Sequence, residues 1–242
     1  MEVHAHTHTA RKKWTHYLWE FLMLFLAVFC GFLAEYQLEH IIEHKREKQY
    51  IISLSEDLRS DIKQIENISV VFKTKISRLD SVIDGLGFSP SLNCLKLSYR
   101  VIGFPDFVYT DRTIQQLKNA GGLRLIRNLP VADSIVGYDI HVRADLIHQE
   151  NMNTGTVPKL IDKLNYLLDL GEWIKLDKNN YTDSNVIKNA VLIVKDKNEM
   201  IRLKNQFISY KFDFTGQLNK LTAIKENAIR LLAVLQKEYH LK

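Results

Sequence analysis

A single unbroken apolar run near the start of the chain is its strongest hydrophobic pattern. Residues 21–34 read FLMLFLAVFCGFLA, with Glu20 just before the run and Glu35 just after it. Aromatic residues lie at both ends. Residues 17–38 would form a helix of about 33 Å, close to the roughly 30 Å thickness of a bilayer's hydrocarbon core. The pattern predicts a transmembrane anchor over residues 17–38.

A run of this length is also compatible with a buried core helix or with the apolar part of a signal peptide. A cleaved signal needs small residues before the cut, but Phe32 stands two residues before Ala34. A lipoprotein signal needs a small residue before Cys30, and Phe29 is there instead. The sequence therefore favours an anchor that is retained.

Basic residues near the ends of a span set its orientation. Arg11, Lys12 and Lys13 precede the span, whereas the first charges after it are acidic: Glu35, Glu39 and Glu43. Lys45, Arg46 and Lys48 still lie near enough to count, so the bias is modest. We expect residues 1–16 to be a cytoplasmic tail and the large domain to be periplasmic, on a single-pass protein of the inner membrane.

Three residues of the span are candidates for a transmembrane interface. Glu20 lies about one turn inside the start of the apolar segment, where a carboxylate either reaches the headgroups or pairs with a partner. Ala27 and Gly31 are four residues apart, a small-xxx-small spacing that allows close helix approach. We favour an interfacial Glu20, and the small pair indicates self-association.

Beyond the span, apolar residues recur at a helical period. One series covers 35 residues in ten steps, about 3.5 residues per step, which is the coiled-coil period: Ile51, Leu54, Leu58, Ile62, Ile65, Ile68, Phe72, Ile76, Leu79, Ile83 and Leu86. It predicts a long juxtamembrane helix over residues 39–89, ended by Gly85, Gly87 and Pro90. The helix either packs on its own domain, which we favour, or forms an intermolecular coiled coil.

The C-terminal third shows a similar stripe, with about 3.6 residues per step: Leu203, Phe207, Tyr210, Phe214, Leu218, Leu221, Ile224, Ala228, Leu231 and Leu235. We expect the first and last long helices to pair antiparallel, with residues 90–242 packing as a helical domain on the juxtamembrane helix. The predicted fold is therefore all-α, with one N-terminal transmembrane helix followed by a bundle of long amphipathic helices.

Shorter helices are predicted between the two long ones. Thr110 is a suitable N-cap for a helix that reaches Asn119, and Gly121 suits its left-handed end. Asn128 caps the next helix, with Pro130 in its first turn. Polar breaks are expected at residues 150–157 and from Asn179 to Asp183, the first followed by a helix to about Leu170 and the second by one to about Val194.

Composition excludes few functions. The net charge of +5 is spread through the part of the chain after the span, without a nucleic-acid-binding fingerprint. We therefore expect membrane lipid as a partner and no nucleic acid. Of the two cysteines, Cys30 lies in the span and Cys94 in the domain, so an internal disulfide is not expected.

Histidines supply the remaining candidate chemistry. His40, Glu43 and His44 fit the H-x-x-E-H pattern, in which two histidines bind zinc and the glutamate activates water. The pattern lies close to the bilayer on a stretch charged nearly all round, and no third ligand stands out. His4, His6 and His8 alternate in a short polar tail and are too few for a compact site. No metal or cofactor is expected, and a zinc metalloenzyme is a minor alternative.

Two segments resemble an uncharacterised family of single-span envelope proteins from Bacteroidota. The first is YLWEFLMLFLAVFCGFLAEYQLEHIIEHKREKQYIISLSEDLRSDI, in which a glutamate precedes a Gly-containing apolar span and a charged helix follows. The second is TDRTIQQLKNAGGLRLIRNLPVADSIVGYD, in which a capped helix ends in glycine and an asparagine opens the next helix. The family has no established activity, so the resemblance implies architecture and location only.

No catalytic motif stands out, which favours a non-enzymatic function. The main hypothesis is an interaction or scaffold protein of the cell envelope that forms homo-oligomers or joins a membrane complex. The alternative is an accessory subunit of an inner-membrane transport or energy-coupling complex in which Glu20 matters.

Overall fold

The computed structural model describes residues 14–87, 90–178, 189 and 191–241. Within these residues the chain is built of helices, and their bounds are α1 Trp14–Gly85, α2 Leu92–Arg100, α3 Arg112–Asn119, a 3₁₀ helix Gly122–Leu125, α4 Leu129–Leu167, α5 Leu170–Lys178 and α6 Lys197–Tyr239. The chain forms two compact units, one up to Gln49 and one from Tyr50 onwards. The all-α prediction is confirmed.

The described part of the first unit is the N-terminal part of α1. Every side chain from residue 14 to residue 39 is exposed. Its aromatic residues stack along the helix at four-residue spacing, with ring centroids 6.3 Å apart for Phe21 and Phe25 and 5.9 Å apart for Phe25 and Phe29. This unit has no core of its own among the described residues.

In the second unit, the apolar stripe of α1 faces the core of its own domain. Seven of its eleven predicted positions are buried, including Ile51, Phe72 and Leu79, and the other four pack against the core while partly exposed. The packed-helix interpretation of the 3.5-residue period is therefore confirmed. Val82, outside the predicted series, is also buried.

Helix α6 runs antiparallel to this part of α1, as predicted. Asp80 pairs with Lys211, the ring centroids of Phe72 and Phe214 are 4.7 Å apart, and Glu66 lies 3.5 Å from Lys225. Residue numbers thus fall along α6 as they rise along α1. Phe214 also stacks on Phe104, with centroids 4.5 Å apart, and contacts Tyr210 edge-on. These four aromatic residues, Phe72, Phe104, Tyr210 and Phe214, form the aromatic cluster of the core.

Helix α1 ends where α2 packs closely against it. A side chain at Gly85 would place its Cβ 2.8 Å from Cys94 Sγ, closer than real Cβ contacts allow. Cys94 is buried and its thiol lies 3.6 Å from the carbonyl oxygen of Val82. Glycine at this position therefore ends α1 and leaves room for α2 to pack closely against it.

The two predicted caps around α3 have different outcomes. Asn128 caps α4 as expected, because its Oδ1 accepts from the amide of Val131, and Gly121 is left-handed with φ of 66°. The prediction of Thr110 as the N-cap of α3 is wrong by one residue, since Asp111 occupies that position. The Thr110 amide instead donates to the buried carboxylate of Asp61.

The polar break predicted at residues 150–157 is also wrong, because α4 runs through it. Polar side chains on this stretch form hydrogen bonds while the backbone stays helical. The Thr154 hydroxyl donates to the carbonyl oxygen of Glu150, and the Asn153 amide donates to Asp106. Met152 is buried among them. Pro158 lies inside α4, where the helix lacks one backbone donor.

Two short extended stretches meet after α4. Leu168 and Leu192 form an isolated antiparallel bridge, and the Asp169 amide donates to the Val191 carbonyl at 2.8 Å. The break predicted from Asn179 to Asp183, and most of the helix predicted after it, lie outside the described residues.

Candidate functional site

The apolar segment of α1 is the first candidate functional surface. It contains an 18-residue window of mean hydropathy 2.0, and none of that window is buried. A core helix of the same composition would be mostly buried, so the core-helix interpretation is wrong. Among the described residues α1 is the one helix long and apolar enough to cross a membrane. The expected single span is thus supported by length, composition and exposure.

The three predicted interface residues lie on one face of this segment. At 3.6 residues per turn, Glu20, Ala27 and Gly31 fall within roughly 40° of arc about the helix axis. Glu20 Oε1 lies 3.0 Å from His16 Nε2, one turn earlier, and both side chains are half-exposed. A Cβ at Gly31 would meet nothing within 4 Å. The face therefore carries the His16–Glu20 pair at its N-terminal end and the small residues Ala27 and Gly31 further along.

The candidate zinc ligands make other contacts in the structure. The ring of His40 lies edge-on against Tyr36, with centroids 4.3 Å apart. His44 Nδ1 lies 3.3 Å from Glu47 Oε2. Within the described residues, no group of three or more His, Cys, Asp or Glu side chains is arranged to hold a metal ion. His4, His6 and His8 lie outside the described residues.

A buried polar network in the second unit is the second candidate, and it centres on Asp57 of α1. Asp57 Oδ2 accepts from the backbone amide of Thr113 at 3.1 Å and from its hydroxyl at 2.5 Å, while Oδ1 accepts from Arg112 Nε at 2.6 Å. Asp57 and Thr113 are both buried, whereas the Arg112 side chain is largely exposed. A carboxylate of α1 thus holds the first turn of α3.

Asp61, one turn further along α1, joins the same network. It accepts from the Thr110 amide at 2.9 Å and from the Tyr138 hydroxyl of α4 at 2.8 Å. Burial raises the pKa of Asp61, and the hydrogen bonds from Thr110 and Tyr138 oppose the rise without cancelling it. Burial likewise raises the pKa of Tyr138, which stays a hydroxyl donor.

Asp139 of α4 completes the network on its other side. Its oxygens accept from Lys118 Nζ and Arg143 Nε, each at 2.9 Å, and from the Tyr109 hydroxyl at 3.1 Å. Burial acts to raise the pKa of Asp139, but the hydrogen bonds and charges of Lys118 and Arg143 outweigh it and lower the pKa. Arg143 also bonds Asp111 at 3.0 Å.

The network ties α1, α3 and α4 together through three carboxylates that all accept from donors of their own chain. Such satisfied carboxylates stabilise a particular packing, because removing any donor or acceptor leaves a buried group unpaired. Sequence reasoning missed the network. Its signal was present in Asp57 and Asp61, which interrupt the buried stripe of α1 at four-residue spacing.

Comparisons of the chain with protein-family models, with curated proteins and with solved structures found no match. The function is therefore inferred from the side chains and their contacts.

Proposed function

We propose that the protein is a single-pass protein of the bacterial cell envelope, with its helical domain acting as a non-enzymatic interaction or scaffold module. The observation that carries the proposal is the fully exposed apolar window of α1. Burying an apolar surface of this size against water-free surroundings is strongly favourable, and a bilayer supplies those surroundings along the whole segment.

The flanks of the window support a retained anchor in the inner membrane. Trp14, Tyr17 and Trp19 lie at one end and Tyr36 at the other, all exposed, as in the aromatic belts of transmembrane helices. The basic residues Arg11 to Lys13 precede the anchor in the sequence, which favours a cytoplasmic N-terminus and a periplasmic domain.

The contacts of the domain favour a structural role for its polar residues. The carboxylates of Asp57, Asp61 and Asp139 each accept from two or three donors of their own chain. A carboxylate held in this way positions helices and is poorly placed to transfer protons to a substrate. This is the support for a scaffold over an enzyme.

The shared face of Glu20, Ala27 and Gly31 supports self-association through the anchor. Small residues four apart allow two helix backbones to approach closely in a bilayer, where van der Waals packing drives association. Glu20 already has His16 as a partner within its own helix. Glu20 therefore does not need a basic group from a different protein as its partner, so homo-oligomerisation is the favoured form of association.

Membrane topology tests the location. A reporter that is active only after export should be active when it is fused after Lys242, because the charge bias places the domain in the periplasm. The same reporter fused before Met1 is the matched control and should be inactive. An active N-terminal fusion together with an inactive C-terminal fusion would reverse the proposed orientation. Absence of both fusions from the membrane fraction would contradict the proposed membrane anchor.

Replacing Gly31 by Ile tests the interface. The full-length protein in mild detergent should sediment as a dimer or larger, and Gly31→Ile should shift it towards monomer because a branched side chain separates the two backbones. Leu33→Ile, roughly 160° away on the helix, keeps the side-chain volume and should leave the distribution unchanged. A wild-type protein that is monomeric at all concentrations would end the self-association proposal, and an unaffected mutant oligomer would move the interface away from Gly31.

A further inference from the structure

Three buried oxygen atoms on α4 and α6 have no donor within the described part of the chain: Asp145 Oδ1, Gln149 Oε1 and Gln217 Oε1. Their three side chains are each more than nine-tenths buried. Unpaired buried polar atoms are rare in folded proteins because each has lost its water without gaining a partner. All three of these atoms are acceptors when Asp145 is ionised, so what is missing at this place is a proton donor.

Asp145 and Gln217 are already joined by one hydrogen bond. Gln217 Nε2 donates to Asp145 Oδ2 at 2.9 Å, which sets the amide group of α6 beside the carboxyl group of α4. The two atoms left over on this pair are Asp145 Oδ1 and Gln217 Oε1. A carboxylate can only accept, but a protonated carboxyl group has an O–H that donates.

We infer that Asp145 binds a proton in the folded protein and donates it from Oδ1 to Gln217 Oε1. The acid and the amide then form a pair with two hydrogen bonds, one in each direction, across the contact between α4 and α6. The inference makes this contact sensitive to pH, and it stands independently of the proposed membrane function.

The groups around Asp145 act in both directions. Burial raises its pKa, whereas the Gln217 hydrogen bond and the positive charges of Lys220 and His148 act to lower it, and burial prevails. Lys220 and His141 line a cavity of about 230 Å³ beside Asp145.

Two further acidic groups lie near this place. Asp106 is reached through Gln149, whose amide nitrogen donates to it at 3.0 Å. Asp213 interacts with the charge of His148, and burial raises its pKa. Among the hydrogen bonds of the described residues, none joins Asp145 to Asp106 or to Asp213. The proton is therefore held by burial and by the acceptor oxygen of Gln217.

The direction of the pH effect follows from the raised pKa. Below the ordinary Asp value of 3.8, both the folded and the unfolded chain hold the proton, and the contribution of the pair to stability is complete. As the pH rises above that value, the unfolded chain loses its proton first, so stability falls until the pH passes the folded pKa. Asp145→Asn supplies a permanent donor with nearly the same shape and should remove this loss.

Chemical unfolding of the full-length protein in mild detergent tests the inference. The measurements should run from about pH 3, below the ordinary pKa of Asp, to about pH 8, well above it. The denaturant midpoint of Asp145→Asn should match the wild type at low pH and exceed it increasingly as the pH rises. Asp57→Asn is the matched control and should lower the midpoint, because Asp57 accepts from three donors and an amide cannot replace both of its oxygens.

Infrared spectroscopy gives a second readout that isolates the proton. The wild type should show the C=O stretch of a protonated carboxylic acid at a pH where exposed carboxyl groups are ionised, and the wild-type minus Asp145→Asn difference spectrum should contain that band. A difference spectrum with only a carboxylate band overturns the inference. So does an Asp145→Asn protein that is destabilised or unfolded, because the proposal requires a donor at that position.

Discussion

Phe214→Ala should lower the free energy of unfolding by about 4 kcal/mol, the size expected for truncating a fully buried phenylalanine. The side chain has no exposed surface, and it contacts Phe72, Phe104 and Tyr210 from three elements of the core. Lys75 Nζ also lies 5.8 Å from the centre of its ring. The truncation therefore leaves a cavity that no single helix can close.

Phe212→Ala is the control for this prediction, because it is the same substitution two residues earlier on α6. The Phe212 side chain is 72% exposed, so its removal should change the free energy of unfolding by less than about 0.5 kcal/mol. Equilibrium denaturation of both variants in the same detergent gives the comparison. Equal effects of the two substitutions would mean that the face of α6 assigned to the core is incorrect.

The two long helices show why much of this fold could be predicted from the sequence. Along α1 and α6 the apolar residues recur at the period of a helix, and every predicted position faces the core fully or partly. The periodicity determines which face is buried without any knowledge of the partner. Their antiparallel pairing was expected because the two helices carry similar apolar stripes that can be buried against each other.

Segment 150–157 shows where such reasoning fails. Asn, Thr and Gly are poor helix formers, so ENMNTGTV predicted a break. In the structure the helix continues because Gln149 and Asn153 bond Asp106 and Met152 is buried, so tertiary contacts outweigh local propensity. Asp106 lies more than forty residues away, and a single-sequence pattern contains no information about that contact.

The polar contacts were harder to predict than the core for the same reason. Asp57, Asp61 and Asp145 lie on helices whose polar residues are mostly solvent-exposed, so the residue type alone does not distinguish a buried carboxylate from an exposed one. Two signals were usable. Asp57 and Asp61 interrupt an apolar stripe at a helical spacing, and Gln217 falls between Phe214 and Leu221 on the buried face of α6.

Opposite pKa shifts in these carboxylates have opposite effects on stability. The lowered pKa of Asp139 means that its contribution is complete above the ordinary Asp value and is lost as the pH falls through the folded value. The raised values of Asp61 and Asp145 have the reverse effect, and their contributions diminish as the pH rises. The domain thus combines a carboxylate whose ionised form is favoured by its donors, Asp139, with two carboxyl groups whose neutral form is favoured by burial, Asp61 and Asp145.

Asp57→Ala should lower the free energy of unfolding by about 3 kcal/mol, because it leaves two donors of Thr113 buried without an acceptor and each such donor costs about 1–3 kcal/mol. The Thr113 amide and hydroxyl both bond Asp57, and Thr113 is 2% exposed. The exposed Arg112 can turn to water and adds little. We expect the loss to be concentrated at the first turn of α3.

Glu56→Ala is the matched control, because Glu56 precedes Asp57 on α1 and also pairs with Arg112, at 3.5 Å. Glu56 is largely exposed, and an exposed ion pair contributes at most about 1 kcal/mol. Equilibrium unfolding gives the energies, and hydrogen exchange should show faster exchange of the Thr113 amide in Asp57→Ala alone. If the two variants unfold alike, Arg112 rather than Thr113 is the partner that matters, and α3 does not depend on the buried carboxylate for its attachment to α1.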